Sequence, residues 1–334
     1  MTTIYQVAEH AGVSLSTVSR VLNGRKTVNP KLREKVELAM QELNYRPSSV
    51  ARSLATNRTD SIGILVSELD TPFFGEMVQA IEVTLRQANK HVIITVGHND
   101  LAQEVDAVEF LISRRCDALI MHTEGMSDEQ LAAINQDRIP IAVINRDVPG
   151  IDDGCFCLDN EQGGFLATEH LIAMGHRQIG YISGPRNKHD AMERLSGHKR
   201  ALAEGGLDFL PEMVFEGHFQ ELDGRDGLRY LKQQNPALTA VVCANDWMAS
   251  GAMSCARDMG LDLPRDLSIV GFDNLMFAHH VFPKLTTVSN PVNKMGEMAA
   301  KSILNRVYDQ QHVLQPLYDA QLVVRDSVFD LNSL

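Results

Sequence analysis

No run of about eighteen consecutive apolar residues occurs anywhere in this chain, so a membrane-spanning helix is not expected. The sequence does not open on a charged stretch followed by an apolar one, the pattern that directs export, and the expected location is the cytoplasm. Cysteine is scarce: Cys116, Cys155, Cys157, Cys243 and Cys255 are too few, and too deeply set in apolar runs such as "AVVCAN", to form a disulfide framework. Cys155 and Cys157 alternate in a strand-like run with no further ligand nearby, so packing is expected of them rather than metal binding. Also missing are "GxSxG", "HExxH" and the Gly-rich loop that cradles phosphates. His189, His279 and His280 stand apart from any second ligand at metal spacing. Without a nucleophile, base and orienter in any recognisable set, an enzyme is not expected.

Charge is present but unevenly placed. The first 60 residues hold nine Lys or Arg against five Asp or Glu, a surplus of four positive charges. The whole chain carries -12, so the rest carries -16. A polyanion is attracted to the first segment and repelled by the remainder. At 334 residues the chain exceeds one hydrophobic core, and two or three compact units are expected.

In the first segment, Ile4, Val7, Ala8 and Ala11 mark one face of a short helix, ended by Gly12. Ser14 then caps a second helix on which Val18, Val21 and Leu22 cluster opposite Ser16, Ser19, Arg20 and Asn23. Helix, Gly-containing turn and a helix with a polar outer face is the helix-turn-helix arrangement. It places Arg20 to reach a guanine, Ser16 a base edge or phosphate, and Leu15 a thymine methyl. Asn29 and Pro30 start a third helix, with Leu32, Val36, Ala39, Met40 and Leu43 at helical spacing. An ordinary helical subdomain has the same spacing. After Pro47 only about two turns of helix fit between Ser48 and Leu54, too few to be stable alone, which suits a linker that orders on binding.

From Ser61 onward, apolar runs ("SIGILVS", "HVIITVG", "DALIMH", "IAVIN") alternate with helical segments, and the rhythm restarts with "CFCLD", "QIGYISG", "TAVVCAN" and "LSIVGFD". Continuous apolar strands between helices indicate parallel sheets buried on both faces. The expected fold class is α/β: two doubly wound parallel-sheet subdomains with a cleft at the carboxyl ends of their strands. Asp70, Phe73, Phe74, Asn145, Arg146, Asp147, Asp159, Asn160, Asn245, Asp246, Asp273 and Asn274 follow those strands. Carboxylates, amides and aromatics in one place suit a neutral polyol. Each residue alone is equally explained as a cap or turn former.

"IYQVAEHAGVSLSTVSRVLN" followed by "NYRPSSVARSLATNRTDSIGILV" resembles the LacI/GalR family of bacterial repressors, and the likeness runs through nearly the whole chain. The resemblance implies a homodimeric repressor on double-stranded operator DNA, without cofactor or metal. It implies a headpiece over 1–46, a hinge helix and linker over 47–60, and a periplasmic-binding-protein-like core over 61–334. Within the core, one subdomain takes about 61–158 and 291–321 and the other about 159–290 and 322–334, with "QLVVRDSV" as the final crossing. DNA contacts are implied for Tyr5, Leu15, Ser16, Thr17, Arg20, Asn23, Tyr45, Ser48, Leu54 and Ala55, with Leu54 as a minor-groove wedge. Effector contacts are implied for Asp70, Phe73, Phe74, Arg146, Asp159, Arg194, Phe219, Asn245 and Asp273. "DTPFFGEMV", "RRCDALIMH", "VINRDVPG" and "CFCLDN" look most like the galactose-responsive branch, which points to D-galactose as effector and to sugar-utilisation genes as targets. Another sugar or a purine-type corepressor stays open, as does a sugar-binding transport protein, which would lack the basic headpiece. The tail after Val328 has no leucine heptads, so a dimer is the default.

Overall fold

The structure is a computed structural model that describes residues 2–22, 28–45 and 57–333. It divides into two compact units, residues 1–60 and residues 61–334.

Among the described residues of the first unit there are three helices: α1 (Ile4–Ala11), α2 (Leu15–Leu22) and α3 (Pro30–Glu42). Thr3 and Gln6 close a capping box at the start of α1, and Gly12 ends it at φ +63, a left-handed conformation that costs glycine nothing. Ser14 Oγ accepts from Thr17 N at 3.3 Å, and Asn29 Oδ1 accepts from Lys31 N at 2.9 Å beside Pro30. Val7, Ala8, Val18, Val21, Val36 and Ala39 form the one small core.

The second unit contains two six-stranded sheets. In chain order its elements are β1 (Ser61–Val66), α4 (Pro72–Gln87), β2 (His91–Val96), α5 (Leu101–Ser113), β3 (Ala118–Met121), α6 (Asp128–Asp137), β4 (Ile141–Ile144) and β5 (Cys155–Leu158). There follow α7 (Asn160–Ala173), β6 (Ile179–Ser183), α8 (His189–Glu204), β7 (Val214–Glu216), α9 (Glu221–Gln234), β8 (Ala240–Cys243), α10 (Asp246–Asp258) and β9 (Ser268–Asp273). The last are β10 (Thr286–Ser289), α11 (Val292–Tyr308), β11 (Leu317–Tyr318) and β12 (Gln321–Val323). The first sheet runs β11-β5-β4-β3-β1-β2 and is parallel throughout. The second runs β12-β10-β9-β8-β6-β7 and is parallel except for β12, antiparallel to β10. Cys155–Leu158, which the rhythm of the sequence groups with the second series, belongs to the first sheet, because Cys155 pairs with Val143 of β4.

Successive side chains of β1 face opposite ways, so Ile64 joins Ile81 and Phe156 on one side of the first sheet while Leu65 joins Leu111, Leu131 and Val143 on the other. The chain passes between lobes at Asp159, at Asn290 and Pro291, and between β11 and β12. α11 returns to the first lobe, where Ser302 donates to Asp153 O at 2.8 Å and Arg306 to Ile141 O at 2.6 Å. All five cysteines carry free thiols.

In the second lobe α7 and α8 lie backbone against backbone. A Cβ on Gly164 would collide with the Arg194 carbonyl, and one on Gly197 with the Glu161 carbonyl. An alanine in an exposed helix stabilises by about 1 kcal/mol over glycine; here the sign reverses. Gly164→Ala is expected to destabilise the protein by about 2 kcal/mol, read from urea denaturation, and an unchanged or raised midpoint would show that the two helices separate at no cost.

Candidate functional site

Two surfaces carry the chemistry, one in each unit. On α2, Val18 and Val21 are buried, while Leu15, Ser16 and Arg20 are exposed on the opposite side. Ser16 Oγ and Thr17 Oγ1 each lie 2.9 Å from Ser14 Oγ, which fixes the helix entrance. Tyr5 is 69 % exposed. Tyr45 packs half-buried against the headpiece core. Asn23, Ser48, Leu54 and Ala55 lie outside the described residues.

The second surface is a cleft between the two lobes that, with the solvent at its mouth, takes in about 660 Å³. Phe73 and Phe74, at the start of α4, meet edge to face at 5.2 Å, and His122, just after β3, stands 5.1 Å from Phe74. Across the cleft Phe219 sits at φ +66, with Gly184 packed directly against its ring. Asn245 holds it there by donating to its carbonyl at 3.0 Å.

Arg194, 2 % exposed, lies beneath this wall. Its Nε donates to Asn160 Oδ1 at 2.9 Å and its Nη1 to the Ala244 carbonyl at 2.7 Å. Its guanidinium stands 3.8 Å over the Phe272 ring, 3.6 Å from Asp273 Oδ1 and 3.7 Å from Asp190 Oδ2. Two hydrogen bonds cross the cleft: Lys188 Nζ donates to Asn99 Oδ1 at 3.1 Å, and Asn145 Nδ2 to Asp190 Oδ2 at 3.2 Å.

Burial pushes the Asp273 carboxyl up to about 6, although Arg194 and the Asn290 amide pull the other way. Burial and the nearby Asp190 raise Glu124, against the opposing pull of Lys188 and Arg146. Burial, reinforced by the Lys188 ammonium, holds His122 well below the usual histidine range. Below Asn245, the fully buried Asp246 accepts from Thr287 Oγ1 at 2.6 Å and Leu275 N at 2.8 Å, and so pins the loop after β9. Among the described residues no group of three or more His, Cys, Asp or Glu is placed to hold a metal.

The cleft therefore brings together Phe73, Phe74, Arg194, Phe219, Asn245 and Asp273. Asn245 is largely committed to the protein, since its Oδ1 also caps α10 through Met248 N. Three residues expected here are placed elsewhere. Asp70 is exposed and does not line the cleft. Asp159 caps α7 by accepting from Gln162 N at 2.9 Å. Arg146 turns to Asp128 at 2.6 Å and the Met126 carbonyl at 2.8 Å, and with Asp159 borders a separate hollow. Sequence reasoning missed Glu68, Asn99, His122, Glu124, Lys188 and Asp190. Asp190 carries a signal, one helical turn before Arg194; His122 and Glu124 carry only their place after a strand.

Residues 3–48 match the family described as bacterial regulatory proteins, lacI family, and residues 168–328 the periplasmic binding protein-like domain. The chain is similar to HTH-type transcriptional regulator GalR of Escherichia coli (strain K12), 38 % identical over 91 % of this chain and 89 % of that one. It is also similar to HTH-type transcriptional repressor PurR of Proteus mirabilis (strain HI4320), 36 % identical over 99 % and 98 %. A crystal structure of the lac repressor dimer bound to operator and the anti-inducer ONPF superposes with a TM-score of 0.87 at 30 % identity, over 98 % of this chain and 99 % of that one.

Removing Arg194 while keeping its volume leaves Asp190 and Asp273 buried without their cation. Arg194→Met is expected to cost about 3 kcal/mol of stability at pH 7.5. Because the folded-state value of Asp273 lies above its unfolded one, its protonation favours the folded state and is lost as the pH rises through about 6. The deficit of the variant is therefore expected to shrink toward pH 5, where Asp273 is protonated in both proteins. Denaturation curves at the two pH values measure this, and equal deficits would remove the Arg194–Asp273 pair as its cause.

Proposed function

The chain belongs to the lacI family of bacterial regulatory proteins and is a DNA-binding transcriptional repressor; from that premise we propose that its effector is a neutral hexose, D-galactose, whose binding in the cleft releases the operator. The observation that carries this reading is the cleft's charge. Glu68 and Asp190, with Glu124 and Asp273 whose carboxyls burial raises, line it against Lys188 and Arg194, so no surplus of positive charge meets a phosphate ester, while Phe73, Phe74 and Phe219 offer faces for a sugar's C–H surface. The "DTPFFGEMV" and "RRCDALIMH" stretches, alike in pattern to the galactose-responsive branch, support the choice among hexoses.

In this reading the protein acts as a homodimer, and sugar between the lobes changes their relative orientation and with it the fit of the paired headpieces on DNA. The coupling is mutual: operator weakens sugar binding by the factor by which sugar weakens operator binding. A second reading has its own support. The aromatic cluster of Phe73, Phe74 and His122 facing Phe219 also suits a flat purine base, and the likeness to PurR spans almost the whole chain.

Calorimetric titration separates the two. D-Galactose is expected to bind where D-glucose, D-ribose, adenine and guanine do not, and to bind more weakly to the operator-bound protein. Heat with a purine alone would replace the effector and reverse the expected sign, the ligand then tightening operator binding. A galactose affinity unaltered by operator would sink the mutual coupling.

For the headpiece, Arg20→Ala is expected to lower operator affinity by about 1–3 kcal/mol in a mobility-shift titration while sugar affinity stays as it was. A variant that binds operator as tightly as the unaltered protein would take Arg20 off the DNA.

A further inference from the structure

Glu104 lies on the inner side of α5, 1 % exposed. Its Oε1 accepts from Glu124 N at 3.0 Å, and its Oε2 from Gly125 N and Met126 N, both at 3.0 Å, and from Thr123 Oγ1. All four donors belong to one four-residue loop, so the carboxyl group is spent on holding that loop. Packing leaves it no alternative seat: a Cβ on Gly97 would stand 2.5 Å from Glu104 Cγ, and one on Gly125 3.0 Å from Glu104 Oε2. From the other side Arg146 holds the same loop through the Met126 carbonyl. What the loop carries is Glu124, which lines the cleft and faces Lys188 and Asp190 of the opposite lobe.

We propose that Glu104 is a positioning residue for effector binding: by clamping residues 123–126 it sets the Glu124 carboxyl on the cleft, where that group helps select the ligand. The inference rests on the reading of the cleft as the effector site. A capping role alone would need one or two of the loop's N–H groups answered. Here three successive amides and a hydroxyl converge on one buried carboxyl, an arrangement that fixes the direction of the side chain between them.

A double-mutant cycle tests this, with D-galactose as the titrant. Glu104→Gln puts an amide N–H₂ among N–H donors and is expected to weaken galactose binding about tenfold, as loss of an outer-shell partner does for other ligating groups. In a Glu124→Ala background the same change is expected to have no further effect on affinity. A purely structural Glu104 would weaken both backgrounds by the same factor, and that result overturns the proposal. If Glu104→Gln does not fold, Thr123→Val, which removes one donor and keeps the volume, is run through the same cycle with the same two outcomes. A ligand-free arm keeps the proposal separate from the identity of the sugar: carboxyl-carbon NMR of Glu124 against pH. Its midpoint is expected to fall toward the ordinary glutamate range in the Thr123→Val protein, where the Glu104 side chain itself is unchanged. A shifted midpoint in a protein that gives no heat with galactose upholds the clamp and discards the galactose reading; an unmoved midpoint discards the clamp.

Discussion

A guanidinium at 2 % exposure must have its charge balanced and its N–H groups bonded within the protein, because an unmet buried charge costs several kcal/mol. Arg194 is answered from five places at once. They are the Asn160 side chain at the start of α7, the Ala244 carbonyl after β8, Asp273 at the end of β9, the Phe272 ring beside it, and Asp190 one turn earlier on its own helix. Each partner ends a strand or begins a helix, so the second lobe's side of the cleft is organised around one side chain. The glycine contact between α7 and α8 serves the same end, since the carbonyl that would collide with a Cβ on Gly164 is that of Arg194 itself.

The organisation continues across the cleft. Asp190 Oδ2, which faces Arg194, also accepts from Asn145 of the first lobe. Asn145 is held at φ +65, and its Oδ1 is buried without a hydrogen-bond partner among the described residues. The Lys188–Asn99 bond spans the other side of Asp190's helix start. A ligand between the lobes can shift their arrangement only by what it gains differently in each arrangement.

Parallel strands buried on both faces were legible because burial forces near-continuous apolar runs, and α2 because its two faces differ at helical spacing. The cleft was legible only in part, for a reason that Asp159 shows. An acid between a strand and a helix is equally suited to a ligand and to the first-turn N–H groups; the bond to Gln162 N decides for the helix, and only coordinates reveal it. Arg146 is likewise turned away from the cleft, its charge being claimed by Asp128 at the start of α6. Phe73, Phe74 and Arg194 do line the cleft, because no local backbone group competes for an aromatic ring and because the partners of a long guanidinium are distant in sequence. Glu104 was invisible: the residues it holds lie about twenty positions away, and nothing in the periodicity of its helix separates it from a solvated glutamate.

The acidic body and the basic headpiece follow from the same division of labour. A cleft that binds a neutral polyol gains hydrogen-bond acceptors from carboxylates and is not penalised for their charge, so acidity there is compatible with function. Elsewhere on the body, negative charge repels a polyanion and leaves the surplus of four positive charges in the first 60 residues as the attractive part of the chain. Non-specific attraction to DNA is then confined to the segment that reads sequence. On the proposed reading of α2, base contacts from Leu15, Ser16 and Arg20 would add the discrimination between sequences, while the encounter itself would come from the segment's charge.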